Sequence, residues 1–302
     1  MATTASASER LCSGLDYLST VTQLSQRVRA AHPTVGLMEA ADFNWWWRLA
    51  RPTDDIGQLF WVDAEERPVA AATLTDWGGT IAMDVIVMPD ASPTWKAHVV
   101  DRGLANASAA GVVQLEIMVD TSDQDMCDVL EERSFSHTSG EGHEPDVEAW
   151  VRAEDRPTIS ELADEYTLVS RSERKHLPHH NKRGGPALEE RLKQTPLYRT
   201  DLDLVVIDEL GEPGGYGVFW YDPTTETGLV EPMRTLEAHQ RRGIARHVLT
   251  AGIDRLVSAG AKRVKICFGQ GNEAARTLYL DVGFVPVKET IVYEGETGTS
   301  VS

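Results

Sequence analysis

The chain repeats its own layout. Val112–Val119 (VVQLEIMV) reads as a buried strand, β-branched and apolar, and it follows a helix that closes on Ala109-Ala110-Gly111. Moving on by 149 residues, Ser258-Ala259-Gly260 closes a second helix, and Ala261–Phe268 (AKRVKICF) follows as a strand in which Val264, Ile266 and Phe268 alternate. The same offset carries Phe135 onto Phe284, and an offset of 146 carries Met83–Met88 (MDVIVM) onto Leu229–Arg234 (LVEPMR). Both halves run in the same order: hairpin, strand, helix, strand, helix. A chain of 302 residues is long enough for two such domains. The predicted fold is α/β: two tandem units, each a mixed, mostly antiparallel sheet flanked by helices.

The join is expected where the chain turns polar. Residues 136–146 (SHTSGEGHEPD) read as a loop and Val151–Pro157 (VRAEDRP) as a crossover linker, with Arg156-Pro157 disfavouring helix. Tyr166–Ser170 then opens the second unit as a strand. The boundary is placed near residue 155, giving units 1–155 and 156–302. Trp45-Trp46-Trp47 is expected partly in the amino-terminal core.

Composition narrows the function. The net charge is −18, which repels phosphate backbones at long range and disfavours a nucleic-acid partner. No run approaches the ~20 apolar residues that span a bilayer, and Met1–Arg10 lacks the apolar core of a signal peptide. The three cysteines, Cys12, Cys127 and Cys267, are far apart and odd in number, which fits a reducing, cytoplasmic setting. No metal is expected: His176, His179 and His180 share a breaker-rich loop, but nothing else supplies ligand spacing. The sequence is silent on oligomeric state.

Chemistry concentrates between Gly228 and Phe284. Leu229–Thr235 reads as a strand, and Pro232 within it cannot donate a ladder hydrogen bond, so a bulge or splayed edge is expected there. Gln240-Arg241-Arg242-Gly243-Ile244-Ala245-Arg246 follows and leads into an amphipathic helix. A strand, a short turn with one glycine and a helix start together aim unpaired amides and the positive helix end at one spot, which suits a phosphate or pyrophosphate. From Arg234 to Arg246 four arginines stand against Glu237, a local charge of +3 in an acidic chain. These arginines form either an anion site or a solvated face. No G-x-x-x-x-G-K-[ST] motif is present, and Gly211–Gly217 (GEPGGYG) reads as a hairpin turn between strands.

Gln240–Ala245 resembles the Q/R-x-x-G-x-G/A signature of the GNAT superfamily, the acyl-CoA-dependent N-acetyltransferases. Gly271–Phe284 (GNEAARTLYLDVGF) resembles that family's last helix, with its asparagine, tyrosine and terminal glycine-phenylalanine. The resemblance covers residues 160–292 well and 40–150 by layout. It implies acetyl-CoA as co-substrate, its pyrophosphate on the amides of Arg241–Arg246 and its pantetheine arm along Met233-Arg234-Thr235. Asn272 would lie beside that arm, or serve only as a helix cap. Tyr279 resembles the tyrosine that protonates the departing thiolate; the alternative is a core aromatic. Glu231, two residues before Met233 and so expected on its face, is the candidate general base, with substrate anchor as the alternative.

The amino-terminal half departs from this pattern. Pro89–His98 (PDASPTWKAH) has no glycine where the signature belongs, and the 149 offset places Leu130 opposite Tyr279. That half reads as a degenerate copy, kept for packing or for shaping a cleft, and one coenzyme A per chain is expected. The implied function is acyl transfer from acetyl-CoA to a primary amine of a small molecule or peptide by direct attack. The alternative is a non-catalytic acyl-CoA-binding or regulatory protein.

Overall fold

The computed structural model describes residues 7–137, 145–174 and 186–298. The histidine-bearing loop 176–186 lies almost wholly outside the described residues.

The first half of the chain runs β1 (Ser8–Cys12), α1 (Gly14–Ala31), α2 (Ala40–Trp46), β2 (Gln58–Val62), β3 (Pro68–Asp76), β4 (Ile81–Val87), α3 (Pro93–Ala109), β5 (Gln114–Asp120), α4 (Gln124–Glu131) and β6 (Ser136–His137). The second half runs β7 (Asp146–Arg152), β8 (Tyr166–Ser170), α5 (Pro186–Leu192), β9 (Asp203–Asp208), β10 (Pro213–Asp222), β11 (Thr227–Thr235), α6 (Ile244–Ala259), β12 (Arg263–Gly269), α7 (Glu273–Val282) and β13 (Val285–Glu296).

These elements form two compact units. The first is Met1–Phe43, Ala50–Asp146 and Lys288–Ser302; the second is Asn44–Leu49 and Val147–Val287. In the first unit the strand order is β1-β2-β3-β4-β5-β13, and β6 also pairs with β13. All of its pairings are antiparallel except β4 with β5. In the second unit the order is β7-β12-β11-β10-β9-β8, with β8 to β11 antiparallel and β11 parallel to β12. Each unit is therefore a mixed, mostly antiparallel sheet with helices packed on it.

The expected cut at residue 155 needs correction in three places. Asp146, expected in a loop, and Val151–Arg152, expected in a linker, are the ends of one strand, Asp146–Arg152, whose Val147, Ala149 and Val151 are buried in the second unit's core. Its polar appearance comes from Glu148, which is buried and paired with Lys265 at 2.9 Å. The last strand belongs to the first unit, since Thr290–Glu296 pairs with Gln114–Asp120. Each unit is thus completed by a strand from the other half of the chain. Trp45-Trp46-Trp47 goes with the second unit: Trp45 meets Trp220 at 6.3 Å, and Trp47 Nε1 donates to Gln194 Oε1 at 2.9 Å.

The helix that follows the parallel-paired strand is seated the same way in both units. A Cβ on Gly103 of α3 would lie 2.6 Å from the Cβ of Ala72, and one on Gly252 of α6 would lie 2.0 Å from the Phe219 ring. Only glycine allows either approach, and the two positions are 149 residues apart. Gly215 and Gly217 add to this in the second unit, where a Cβ would meet Ile244 at 2.7 Å and Phe219 at 2.9 Å. The glycine-rich run expected as a turn is therefore mostly strand: β10 begins at Pro213, and the hairpin turn lies upstream, closed by Gly211 N–H to Asp208 O at 2.9 Å.

Candidate active site

The second unit opens its sheet between β11 and β12. The two strands pair at Thr227, Gly228 and Leu229, whose partners are Arg263, Val264 and Lys265, and the pairing stops there although both strands continue. Beyond that point β11 stays paired with β10, Met233 opposite Gly217 and Thr235 opposite Gly215. Val218 faces two residues, Glu231 and Pro232, so a bulge sits at the proline. The edge of Met233-Arg234-Thr235 that would face β12 is open. Thr235 Oγ1 is buried there and has no hydrogen-bond partner among the described residues.

Val230 and Met233, three residues apart, both pack against the core under α6. Strict alternation breaks between them, and with it the basis for expecting Glu231 and Met233 on one face. Glu231 is half-buried, and its carbonyl oxygen accepts a hydrogen bond from Trp220 Nε1 at 2.6 Å. That bond pins β11 at the point where the sheet parts.

After β11 a short turn at Glu237–His239 is fixed by His239 Nδ1, 2.9 Å from the Tyr166 hydroxyl. Arg241 has φ 60° and Gly243 has φ 77°, two left-handed positions that swing Gln240–Gly243 around into α6. Gly243 is the N-cap and has no side chain to satisfy the first amides, and His247 N–H to Gly243 O at 3.0 Å begins the helical ladder. The amides of Ile244, Ala245 and Arg246 precede that bond and point outward from the helix end. Ile244 itself is buried against Gly215, so its amide rather than its side chain serves this spot. A Cβ on Gly243 would meet nothing within 4 Å, so the glycine is needed for its backbone angle.

Gln240, Arg241 and Arg242 are exposed. Arg242 lies 3.9 Å from Glu165 and Arg246 lies 3.0 Å from Asp281, pairs that are exposed enough to be weak and readily exchanged. Asn272 caps α7, its Oδ1 accepting from Ala275 N–H at 3.1 Å. Tyr279 is 8% exposed and packs edge-on against Phe268 at 5.5 Å and against Phe284 at 6.3 Å. Burial pushes its phenol up to about 12, so it stays protonated throughout the neutral range.

Two buried charged residues were hidden from sequence reasoning. Lys265 is fully buried at the last paired position of β12, and Glu148 receives both its ammonium and the Trp150 Nε1–H, the latter at 2.7 Å. A charged residue inside an otherwise apolar strand was the available signal for each. Thr235 was expected along the arm of the cofactor, but the isolation of its Oγ1 arises only from the splay. Among the described residues no group of three or more His, Cys, Asp or Glu is placed to hold a metal ion. No helix among them is long and apolar enough to cross a membrane.

Residues 158–284 match the model of the Acetyltransferase (GNAT) family. That match spans less than half of the chain and lies within the second unit. No curated protein is a significant sequence match. Among solved structures, it is similar to a tandem GNAT protein from the clavulanic acid biosynthesis pathway, determined without AcCoA. That pair shares 14% identity with a TM-score of 0.69, over 97% of this chain and 99% of the other. A GCN5-related N-acetyltransferase from Sphaerobacter thermophilus gives 14% identity and a TM-score of 0.60 over 96% of each chain. A GNAT-family acetyltransferase from Colwellia psychrerythraea gives 13% and 0.59 over 95% and 99%. At these identities the likeness is one of fold, and it extends over both units.

Proposed function

We propose that the second unit transfers an acyl group from acetyl-CoA to a primary amine of a small molecule or peptide by direct attack. The observation that carries this is the open edge of β11, which runs from Glu231 through the unpartnered Thr235 hydroxyl toward a helix start capped by a left-handed glycine. An elongated ligand with an amide-bearing arm and a pyrophosphate head fits that sequence of groups. Met233, Arg234 and Thr235 would hold the arm, with Asn272 nearby on α7. The amides of Arg241–Arg246 and the Gln240–Gly243 turn would hold the pyrophosphate. Bound there, acetyl-CoA supplies an activated thioester.

The chain's own residues supply the rest. An amine must be neutral to attack, and Glu231, on the strand where the sheet opens, accepts its proton directly or through one water. Tyr279 donates from its hydroxyl to the charge that develops on the leaving sulfur. A phenol held near 12 is a weaker acid than a thiol at ~8.5, so complete transfer is uphill. Its contribution is a hydrogen bond formed as the thiolate develops, which stabilises the transition state more than the ground state. Cys267 is exposed on β12, and no histidine lies near it in sequence to make it a nucleophile, which favours direct attack over an acyl-enzyme.

The test is thiol release from acetyl-CoA across a panel of primary amines. Acetyl-CoA-dependent release that requires an amine and is lost in Glu231→Gln supports the reading. Cofactor binding without release for any amine would leave a non-catalytic acyl-CoA binder, and a trapped acyl-enzyme would overturn direct attack.

A further inference from the structure

The first unit opens its sheet at the matching place. β4 and β5 are parallel and pair at Ala82 with Glu116, and then diverge. The gap is a cleft of about 370 Å³, within the range of small-molecule sites. Its walls are largely apolar and include Val85, Val87, Ile117, Val119 and Met126. Asp84 lines it, two residues past the last paired position of β4, as Glu231 stands two residues past the last paired position of β11.

The charges in this cleft are already matched, with one exception. Lys96 is paired with Asp123 at 2.5 Å and with Asp125 at 3.4 Å. Lys288 is held by Asp120 at 3.5 Å and by the Gly36 carbonyl at 3.1 Å. Asp84 has neither an ion pair nor a hydrogen bond among the described residues, and its Oδ2 atom is buried. Tyr17 from α1 and Asp42 from α2 face it, and Thr73 lies opposite it on β3. Burial, and then the Asp42 carboxylate, push Asp84 up to about 7. A buried carboxyl without a partner is costly, and a native protein tolerates one where a ligand or catalytic role uses it. The helix start beside the cleft cannot serve an anion. Ser92 Oγ accepts the Trp95 amide at 3.2 Å, and Pro93 has no amide to offer.

We propose that the β4–β5 cleft of the first unit is a binding site for a small apolar primary ammonium compound, its cationic head on Asp84 and its apolar body between the two strands. The site is separate from the acyl-transfer site and does not depend on that assignment. It would let the unit without a phosphate turn recognise an amine without modifying it.

The probe is 4-phenylbutylammonium, compared with its alcohol, 4-phenylbutan-1-ol, and its anion, 4-phenylbutyrate. Hydrogen exchange on the full chain locates binding, and titration measures it. The ammonium compound is expected to slow exchange at residues 34–38 and 81–88. It should bind at least tenfold more tightly than the alcohol, with the anion weaker still. Asp84→Asn, and independently Asp84→Leu, should each weaken it at least tenfold while circular dichroism shows an intact fold. Absence of protection in those segments, equal binding by 4-phenylbutyrate, or unchanged affinity in a folded Asp84 variant would overturn the proposal.

Discussion

The two units begin the helix after their parallel-paired strand in opposite ways. In the first, Ser92 caps its own helix through the Trp95 amide, Pro93 removes one donor, and Lys96 in the first turn is neutralised by Asp123 and Asp125. In the second, Gly243 caps with backbone alone, no proline interrupts the first turn, and Arg246 has one exposed partner, Asp281. Both helices are seated on their sheets by a buried glycine, Gly103 or Gly252, and both sheets part between parallel strands. The scaffold thus survives without a counterpart of the Gln240–Gly243 turn. What distinguishes a helix end that can bind an anion from one that cannot is whether local side chains have already satisfied it.

The largest effect is expected at the cap. Gly243→Trp should reduce coenzyme A affinity by at least a thousandfold, whereas Pro93→Ala and Lys96→Ala should change it less than twofold. A Cβ at φ 77° costs roughly 1–2 kcal/mol of stability but meets no neighbour, so the variant should still fold, as a thermal melt would show.

The next prediction concerns the carboxylates at the two splays. Asp84 keeps its proton to about 7, while in the unfolded chain it releases it near ~3.9. Between these values the native state binds more protons, so stability falls as pH rises from ~4 to ~7 and then levels off. Relative to Asp84→Asn, the wild type should lose on the order of 3 kcal/mol across that window in urea titrations. A flat difference would mean that Asp84 has a partner the structure does not show.

Much of this contrast was legible in the sequence, for identifiable reasons. Helix ends, buried strands and the Gln240–Arg246 turn are local features, written in spacing and in residues such as Gly243, Gly260 and Pro232. The tandem layout followed from repeating those features at one offset. The exchange of closing strands was not legible, because nothing local to Asp146–Arg152 or Thr290–Glu296 says which sheet it joins. The polar stretches on either side of the first of these, residues 136–146 and 153–157, drew its ends into a loop and a linker, and the buried Glu148 can be told from a solvated carboxylate only when its partner, Lys265, is in view. The glycines of β10 were misread for a related reason. Gly215 and Gly217 answer to Ile244, Val248 and Phe219, contacts that exist only once the helix is docked.

Removing the Tyr279 hydroxyl should have a smaller effect than losing the cap. Tyr279→Phe keeps the ring that packs on Phe268 and Phe284, so turnover should drop ten- to a hundredfold at unchanged coenzyme A affinity. Leu130, its counterpart at the 149 offset, is fully buried in the first unit's core, and no hydroxyl is available there to lose. An unchanged kcat in Tyr279→Phe would reduce Tyr279 to a packing residue like Leu130.

The smallest effect is expected from the exposed charges. Arg246→Ala should weaken coenzyme A binding three- to tenfold at low salt and by less at high salt, because the group is half-exposed and screened. Lys96→Ala, already held by two carboxylates, should show no such salt-dependent loss.

The central claim is that only the second unit presents an open helix start, and calorimetric titration of coenzyme A into the intact chain tests it most directly. One site per chain is predicted, abolished by Gly243→Trp and retained in Lys96→Ala. Two equivalent sites, or a full-strength site surviving in Gly243→Trp, would contradict the account.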